Sequence, residues 1–165
     1  MVTLIRHATA ADAADDTLRP LTNAGRSAAR RLADFLRPTQ ALKGHEIWHS
    51  SLVRARETAQ VIADHIGRKM VLKEVDGLAP EDPAGVFLRR LSGLRKDVIV
   101  VGHNPHLTTL AALMVRGDAS LPAVGFDKCT AVCLENFGHG NAGDWAIQWC
   151  VAPELLWAED VGPWI

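Results

Sequence analysis

The chain is short of most features that assign a protein to a specialised class. Its 165 residues hold only three cysteines, Cys129, Cys133 and Cys150, with no C-x-x-C spacing. An odd count in that pattern excludes a disulfide framework or a zinc knuckle and leaves buried, reduced thiols as the expectation. Neither sign of charge is in surplus: 18 basic against 19 acidic residues leave a net charge of −1. No global field therefore recruits nucleic acid or an anionic membrane, and any preference for an anion must come from a local cluster of arginine and histidine. No apolar run approaches the ~18 residues of a membrane span, and Arg6 interrupts the first apolar stretch before it is long enough for a signal peptide, so a cytoplasmic protein is expected. Repeats, linkers and low-complexity tracts are missing as well, and the length suits one domain over residues 1–165.

What is present alternates between strand and helix. Val2 to Ile5 has no polar face and reads as a strand buried on both sides. Thr22 predicts an N-cap for a helix that repeats Ala24, Ala28, Leu32 and Leu36 and stops at Pro38. A strand over Glu46 to His49 leads into Ser50-Ser51, a capping pair for a helix carrying Leu52, Ala55, Ala59, Ile62, Ala63 and Ile66, with Gly67 closing it. Met70 to Leu72 is a third strand, then a loop from Gly77 to Pro83 and a helix through Phe87, Leu88 and Leu91. Val98 to Val101, uniformly apolar and β-branched, belongs at the sheet centre, and Asn104-Pro105 caps a helix through Leu107, Leu110, Ala111 and Met114. Cys129 to Leu134 and Trp145 to Cys150 pair as a hairpin, with Trp145 and Trp149 on one face. The sum is an α/β fold: a single domain with a mostly parallel central sheet flanked by helices and a C-terminal hairpin or edge strands.

In such sheets a site forms beyond the carboxyl ends of the strands. Arg6-His7 ends the first strand, Arg54 lies in the first turn after the second, and His103 follows the fourth. Two imidazoles and two guanidinium groups converging there, beside helix N-termini, suit a phosphoryl group, because imidazole can act as nucleophile, base or acid near neutrality and arginine is a permanent cation.

Arg6-His7-Ala8, the segment Ser51-Leu52-Val53-Arg54-Ala55-Arg56-Glu57-Thr58 and Val101-Gly102-His103-Asn104 together resemble, in order and spacing, the three motifs of the histidine phosphatase superfamily, also called phosphoglycerate mutase-like. Arg19-Pro20-Leu21-Thr22, Gly25 and the short length are similar to its SixA-type phosphohistidine phosphatases. The resemblance implies a metal-independent hydrolase without cofactor. His7 would be the nucleophile, forming a covalent phosphohistidine that water hydrolyses, and Arg6, Arg54 and a protonated His103 would hold the phosphoryl oxygens. Ala8 replaces the motif glycine. The family's general acid, a glutamate in the loop Gly77 to Pro83, has Glu81 and Asp82 as candidates, although a leaving imidazole can carry its own proton. The stretch between Arg54 and His103 has no room for the lid that larger mutases insert, so an open site admitting a phosphorylated protein of the histidine-phosphotransfer type is implied. A small phosphorylated metabolite is the alternative substrate, and a phosphate- or phosphohistidine-binding module without turnover the alternative class.

One motif competes. His45-Glu46-Ile47-Trp48-His49 matches H-E-x-x-H, the zinc-peptidase pattern on a helix. As a strand it would hold His45 and His49 about 13 Å apart at ~3.3 Å per residue, too far to share one ion. His106 is expected to border the phosphate pocket or solvent, Arg56 to point away from Arg54, and Arg30-Arg31 and Arg89-Arg90 to lie on exposed helix faces. Trp157 and Trp164 belong with Leu155 and Leu156 in a terminal segment, 153–165, that straps the domain or packs on a second copy.

Overall fold

In the computed structural model, which describes residues 1–156, six strands form one sheet in the order β3-β2-β4-β1-β5-β6. In chain order the elements are β1 (Val2–Arg6), α1 (Asn23–Thr39), β2 (Glu46–His49), α2 (Val53–His65), β3 (Val71–Glu74), α3 (Ala84–Ser92), β4 (Val98–Gly102), α4 (His106–Arg116), β5 (Ala131–Asn136) and β6 (Trp145–Val151). The first four strands of that order pair in parallel, and β5 and β6 add antiparallel at one side. The sheet is therefore mostly parallel, with a C-terminal hairpin at its edge. Trp157 and Trp164 lie outside the described residues.

Strand parity decides the two cores. Leu4, Trp48, Val98, Val100, Val132 and Leu134 face α3 and α4, where they meet Phe87, Leu91, Leu107 and Leu110. Ile5, Ile47, Ile99, Val101 and Ala131 face α1 and α2, where they meet Leu32, Leu36, Ala55, Ala59 and Ile62. Each Leu or Ile so enclosed stabilises the fold by about 1.5–3 kcal/mol. All of β4 is buried, as its composition predicts, and it lies beside β1 at the centre.

Several local readings change. The buried face of α1 is Gly25, Ala29, Leu32, Ala33 and Leu36, while Ala24 is exposed; Thr22 does cap it, accepting from Gly25 N at 2.9 Å. Pro38 occupies the last turn of α1, where its ring still fits, and Gln40 ends the helix at φ 51°. The cap of α2 is Leu52, with no side-chain bond, while Ser50 Oγ sits 2.5 Å from His103 Nε2 and accepts from Leu52 N at 3.4 Å. Pro105 takes the cap position of α4, and Asn104 turns away to donate to the Phe126 carbonyl at 3.1 Å. Cys150 is exposed on the outer strand, whereas Cys129 and Cys133 are buried. Trp145 and Trp149 fall on opposite faces, packing in different cores, because a β-bulge shifts register opposite Cys133/Leu134 and reverses the alternation.

Among the described residues no helix is long and apolar enough to cross a membrane. Within the His45–His49 pentad Glu46–His49 form strand β2, with His45 exposed just before it and His49 buried at its end, so the helical pairing a zinc motif requires is not formed. Between Arg54 and His103 the chain spends itself on α2, β3, α3, β4 and their loops, with no inserted subdomain.

Candidate active site

Parallel register brings the ends of β1 and β4 level, Arg6 opposite Gly102, so that the next residues, His7 and His103, emerge side by side. Their ring centroids lie 4.9 Å apart at an interplanar angle of 48°. His7 N donates to Gly102 O at 2.9 Å, which ties the two strand ends together. The His7 Nδ1 lies 2.8 Å from Ala8 O. A carbonyl only accepts, so Nδ1 carries the proton and Nε2 keeps its lone pair. Ala8 N donates to Thr58 Oγ1 at 3.0 Å, and Thr58 in turn donates to Arg54 O at 2.7 Å, which couples the loop after His7 to α2. Ala8 is fully buried and is not among the described residues of positive φ, so alanine meets the backbone requirement there without strain.

The loop after His7 is held just as closely. Thr22 N donates to Thr9 O at 3.0 Å, and a Cβ on Gly25 would stand 2.1 Å from that same carbonyl oxygen, so only glycine lets α1 approach the loop. Glu57 accepts from Leu21 N at 2.7 Å and from Arg26 at 2.8 Å, fixing the Arg19–Thr22 segment against α2.

Arg54 is 5% exposed, and its guanidinium donates to Asp16 O at 2.7 Å and to the Asp16 carboxylate at 3.0 Å. Arg6 Nη1 donates to Phe126 O at 2.7 Å, while its buried Nε has no hydrogen-bond partner among the described residues. His103 Nε2 lies 2.5 Å from Ser50 Oγ, and its Nδ1 is likewise without a partner. Lys128 Nζ lies 3.3 Å from His7 Nε2. Three cations thus surround two imidazoles.

Their mutual influence follows from burial and charge. Burial first, and then the Lys128 ammonium, hold the His7 ring down to about 3; burial followed by the neighbouring His7 and Arg54 hold His103 down to about 3. In the protein alone both rings are held in the neutral form at pH 7. Burial, reinforced by Arg6, Arg54 and Arg19, lowers Lys128 to about 8.

The remaining sequence candidates make no hydrogen bond to this cluster among the described residues. Asp82 accepts from Ala79 N at 2.7 Å within its own loop, and Glu81 is exposed; no hydrogen bond joins either to His7, His103, Arg6 or Arg54. His106 does not meet solvent: it is 1% exposed, its ring edge-on to Phe87 with centroids 5.8 Å apart. Arg56 is exposed, as its helical offset predicts. Sequence reasoning missed Lys128, Ser50 and Asp16. A signal for Lys128 existed only in topology: β5 runs antiparallel to β1, so the residues before β5 lie at the edge where β1 ends.

Comparison with known proteins places these features in context. Residues 2–79 match the sequence profile of the histidine phosphatase superfamily (branch 1). The chain is 27% identical to the phosphohistidine phosphatase SixA of Escherichia coli (strain K12) over 154 residues, covering 90% of this chain and 94% of that one. It is 34% identical over 120 residues to an uncharacterized protein of Picosynechococcus sp. (strain ATCC 27264 / PCC 7002 / PR-6), covering 68% of this chain and 71% of the other. Among solved structures, that of the protein histidine phosphatase SixA complexed with tungstate superposes with a TM-score of 0.83 at 24% identity, over 94% of this chain and 98% of that one, and so shares its fold.

Proposed function

The chain belongs to the histidine phosphatase superfamily and is a phosphatase, and from that premise we propose that it hydrolyses phosphohistidine on another protein through a covalent phosphohistidine on His7. The observation that carries this reading is the state of His7. Its Nδ1 proton is spent on Ala8 O, and its ring is held neutral, so Nε2 offers an unprotonated lone pair at the strand end throughout the neutral range.

In-line attack by Nε2 forms the N–P bond as the bond to the leaving group breaks, with that electron pair going to the leaving atom. Charge spreads over three equatorial oxygens, and Arg6, Arg54 and His103 take them. A dianionic phosphoryl group reverses the sign of the field at His103 and favours its protonation on binding. A substrate phosphoimidazole already protonated on its second nitrogen leaves as neutral imidazole, which agrees with Asp82 being occupied by Ala79 N and with the absence of a hydrogen bond from Glu81 to the cluster. Water then repeats the displacement at phosphorus and regenerates His7.

Two observations support a protein substrate: no subdomain covers the site between Arg54 and His103, and the similar Escherichia coli protein is a phosphohistidine phosphatase. Action in the cytoplasm, without a metal, is part of the same reading. The test is turnover of a histidine-phosphorylated phosphotransfer domain against a panel of sugar and nucleotide phosphates, with and without EDTA. The expected result is preference for the protein, insensitivity to chelator, loss of about 10⁴-fold or more in rate for His7→Ala, and acid-labile phosphate trapped on His7. Phosphate trapped on another residue, or tight phosphate binding with no hydrolysis of any substrate, sinks the reading.

A further inference from the structure

Lys128 is absent from every motif of the sequence, yet its ammonium stands within hydrogen-bond distance of the reactive nitrogen of His7, 3.3 Å from Nε2. The placement is built rather than incidental. Residues 126–130 are bolted to the end of β1: Arg6 N donates to Thr130 O at 3.1 Å, Cys129 N donates to Arg6 O at 3.0 Å, and Phe126 O accepts from both Arg6 Nη1 and Asn104 Nδ2. Cys129 itself is buried at φ 65°, a left-handed conformation that non-glycine residues rarely adopt and that persists only where surrounding structure imposes it. This turn aims the preceding side chain at His7.

The electrostatics point the same way. Lys128 is half-buried, and no carboxylate lies within ion-pair distance of it among the described residues, while Arg6 from β1, Arg54 from α2 and Arg19 from the loop all repel it. An ammonium in that setting destabilises the protein unless an anion joins it. A solvated surface lysine would instead turn outward, where its stem loses nothing.

Building on the hydrolase reading above, we propose that Lys128 is a catalytic residue of this chain: its ammonium caps the lone pair of His7 Nε2 at rest and moves to an equatorial phosphoryl oxygen as Nε2 attacks phosphorus. The resting geometry favours this role over that of leaving-group acid. In-line displacement puts the leaving atom on the far side of phosphorus from Nε2, whereas Lys128 Nζ is on the near side. Lys128 exchanges one hydrogen bond for another and keeps all its protons; the only covalent change is N–P formation with cleavage to the leaving group. At rest the same charge keeps a proton off Nε2, so the nucleophile stays a free base.

The test compares wild type with Lys128→Met and Lys128→Arg on a histidine-phosphorylated domain and on p-nitrophenyl phosphate, with inorganic phosphate binding by calorimetry and the His7 ring proton followed by NMR against pH. Lys128→Met is expected to lower kcat about 10²-fold on both substrates, with a smaller change in KM, to weaken phosphate binding about tenfold, and to raise the His7 midpoint. Lys128→Arg restores most of the rate and moves the alkaline limb of the pH profile to higher pH, because a guanidinium keeps its charge where the buried Lys128 ammonium, lowered to about 8, loses it. Lys128→Gln stands in should the Met variant fail to fold. Variants within about threefold of wild type in kcat, or a His7 midpoint that does not move, overturn the role of Lys128 alone. A wild type that hydrolyses neither substrate defeats the hydrolase reading itself, and the two failures are told apart by that control.

Discussion

At the amino-terminal edge of the sheet Glu46 accepts from Lys96 at 2.6 Å, from Lys73 at 2.9 Å and from Trp48 Nε1 at 2.9 Å, and the Met1 ammonium meets Asp97. At the carboxyl-terminal edge Arg6, Arg54 and Lys128 crowd two neutral imidazoles, and the one carboxylate in ion-pair contact with these cations, among the described residues, is Asp16 on Arg54. The titration shifts mirror the difference. Lys96 and then Lys73 hold the Glu46 carboxyl down to about 2, whereas burial and like charge hold the Lys128 ammonium down to about 8. One edge uses charge to close the fold, and the other keeps a surplus of positive charge, only partly offset by Asp16 on Arg54 and Asp127 near Arg6, that a phosphoryl dianion would relieve.

Breaking the carboxyl edge is expected to cost activity first. Arg54→Met should lower kcat/KM about 10²–10³-fold while changing the unfolding free energy by no more than about 1 kcal/mol, because it removes a cation from a crowded cluster. Steady-state kinetics and urea unfolding check the two halves of that statement. A large stability loss with intact kinetics would erase the distinction between the edges.

The two imidazoles sharpen the comparison through pH. His7 and His103 titrate near 6.5 in the unfolded chain and at about 3 in the folded protein. Between those values the unfolded state binds more protons, so stability is fully present above pH 6.5 and declines as pH falls toward 3. Urea midpoints measured from pH 7 to pH 4 should therefore fall, and His103→Gln should flatten the decline; a profile that stays level over that range contradicts the assigned burial.

The smallest effect belongs to the amino edge. Glu46→Gln should reduce stability by less than about 1 kcal/mol at pH 7 and leave kcat/KM unchanged, since solvent screens its exposed lysine partners. A lowered carboxyl contributes above its unfolded value and loses that contribution as pH falls toward about 2, so wild type and variant should converge in acid. Divergence in acid, or a loss of turnover, would show that this edge reaches the site.

Much of the fold is legible in the residues because burial on both faces leaves a composition that period and propensity can read. Val98 to Val101 is apolar throughout and proves central, and Glu46 to His49 is a strand despite its resemblance to a helical zinc motif. Capping was less legible. Ser50 and Asn104 carry the right side chains for helix caps, but Ser50 is held by His103 and Asn104 by Phe126 O, and those partners are far away in sequence. The bulge that sends Trp145 and Trp149 to opposite faces is equally invisible to a rule of strict alternation.

By itself the sequence determined the α/β class, the strand ends on which His7 and His103 stand, and the family to which they belong, because these depend on local periodicity and short motifs. Only the tertiary structure decided how charge is shared around His7: Lys128, more than a hundred residues away, reaches Nε2 because β5 returns antiparallel beside β1. The same packing keeps His103 neutral and His106 sealed from solvent. Protonation and proximity depend on the distances between every charged group and its neighbours, which no local pattern encodes.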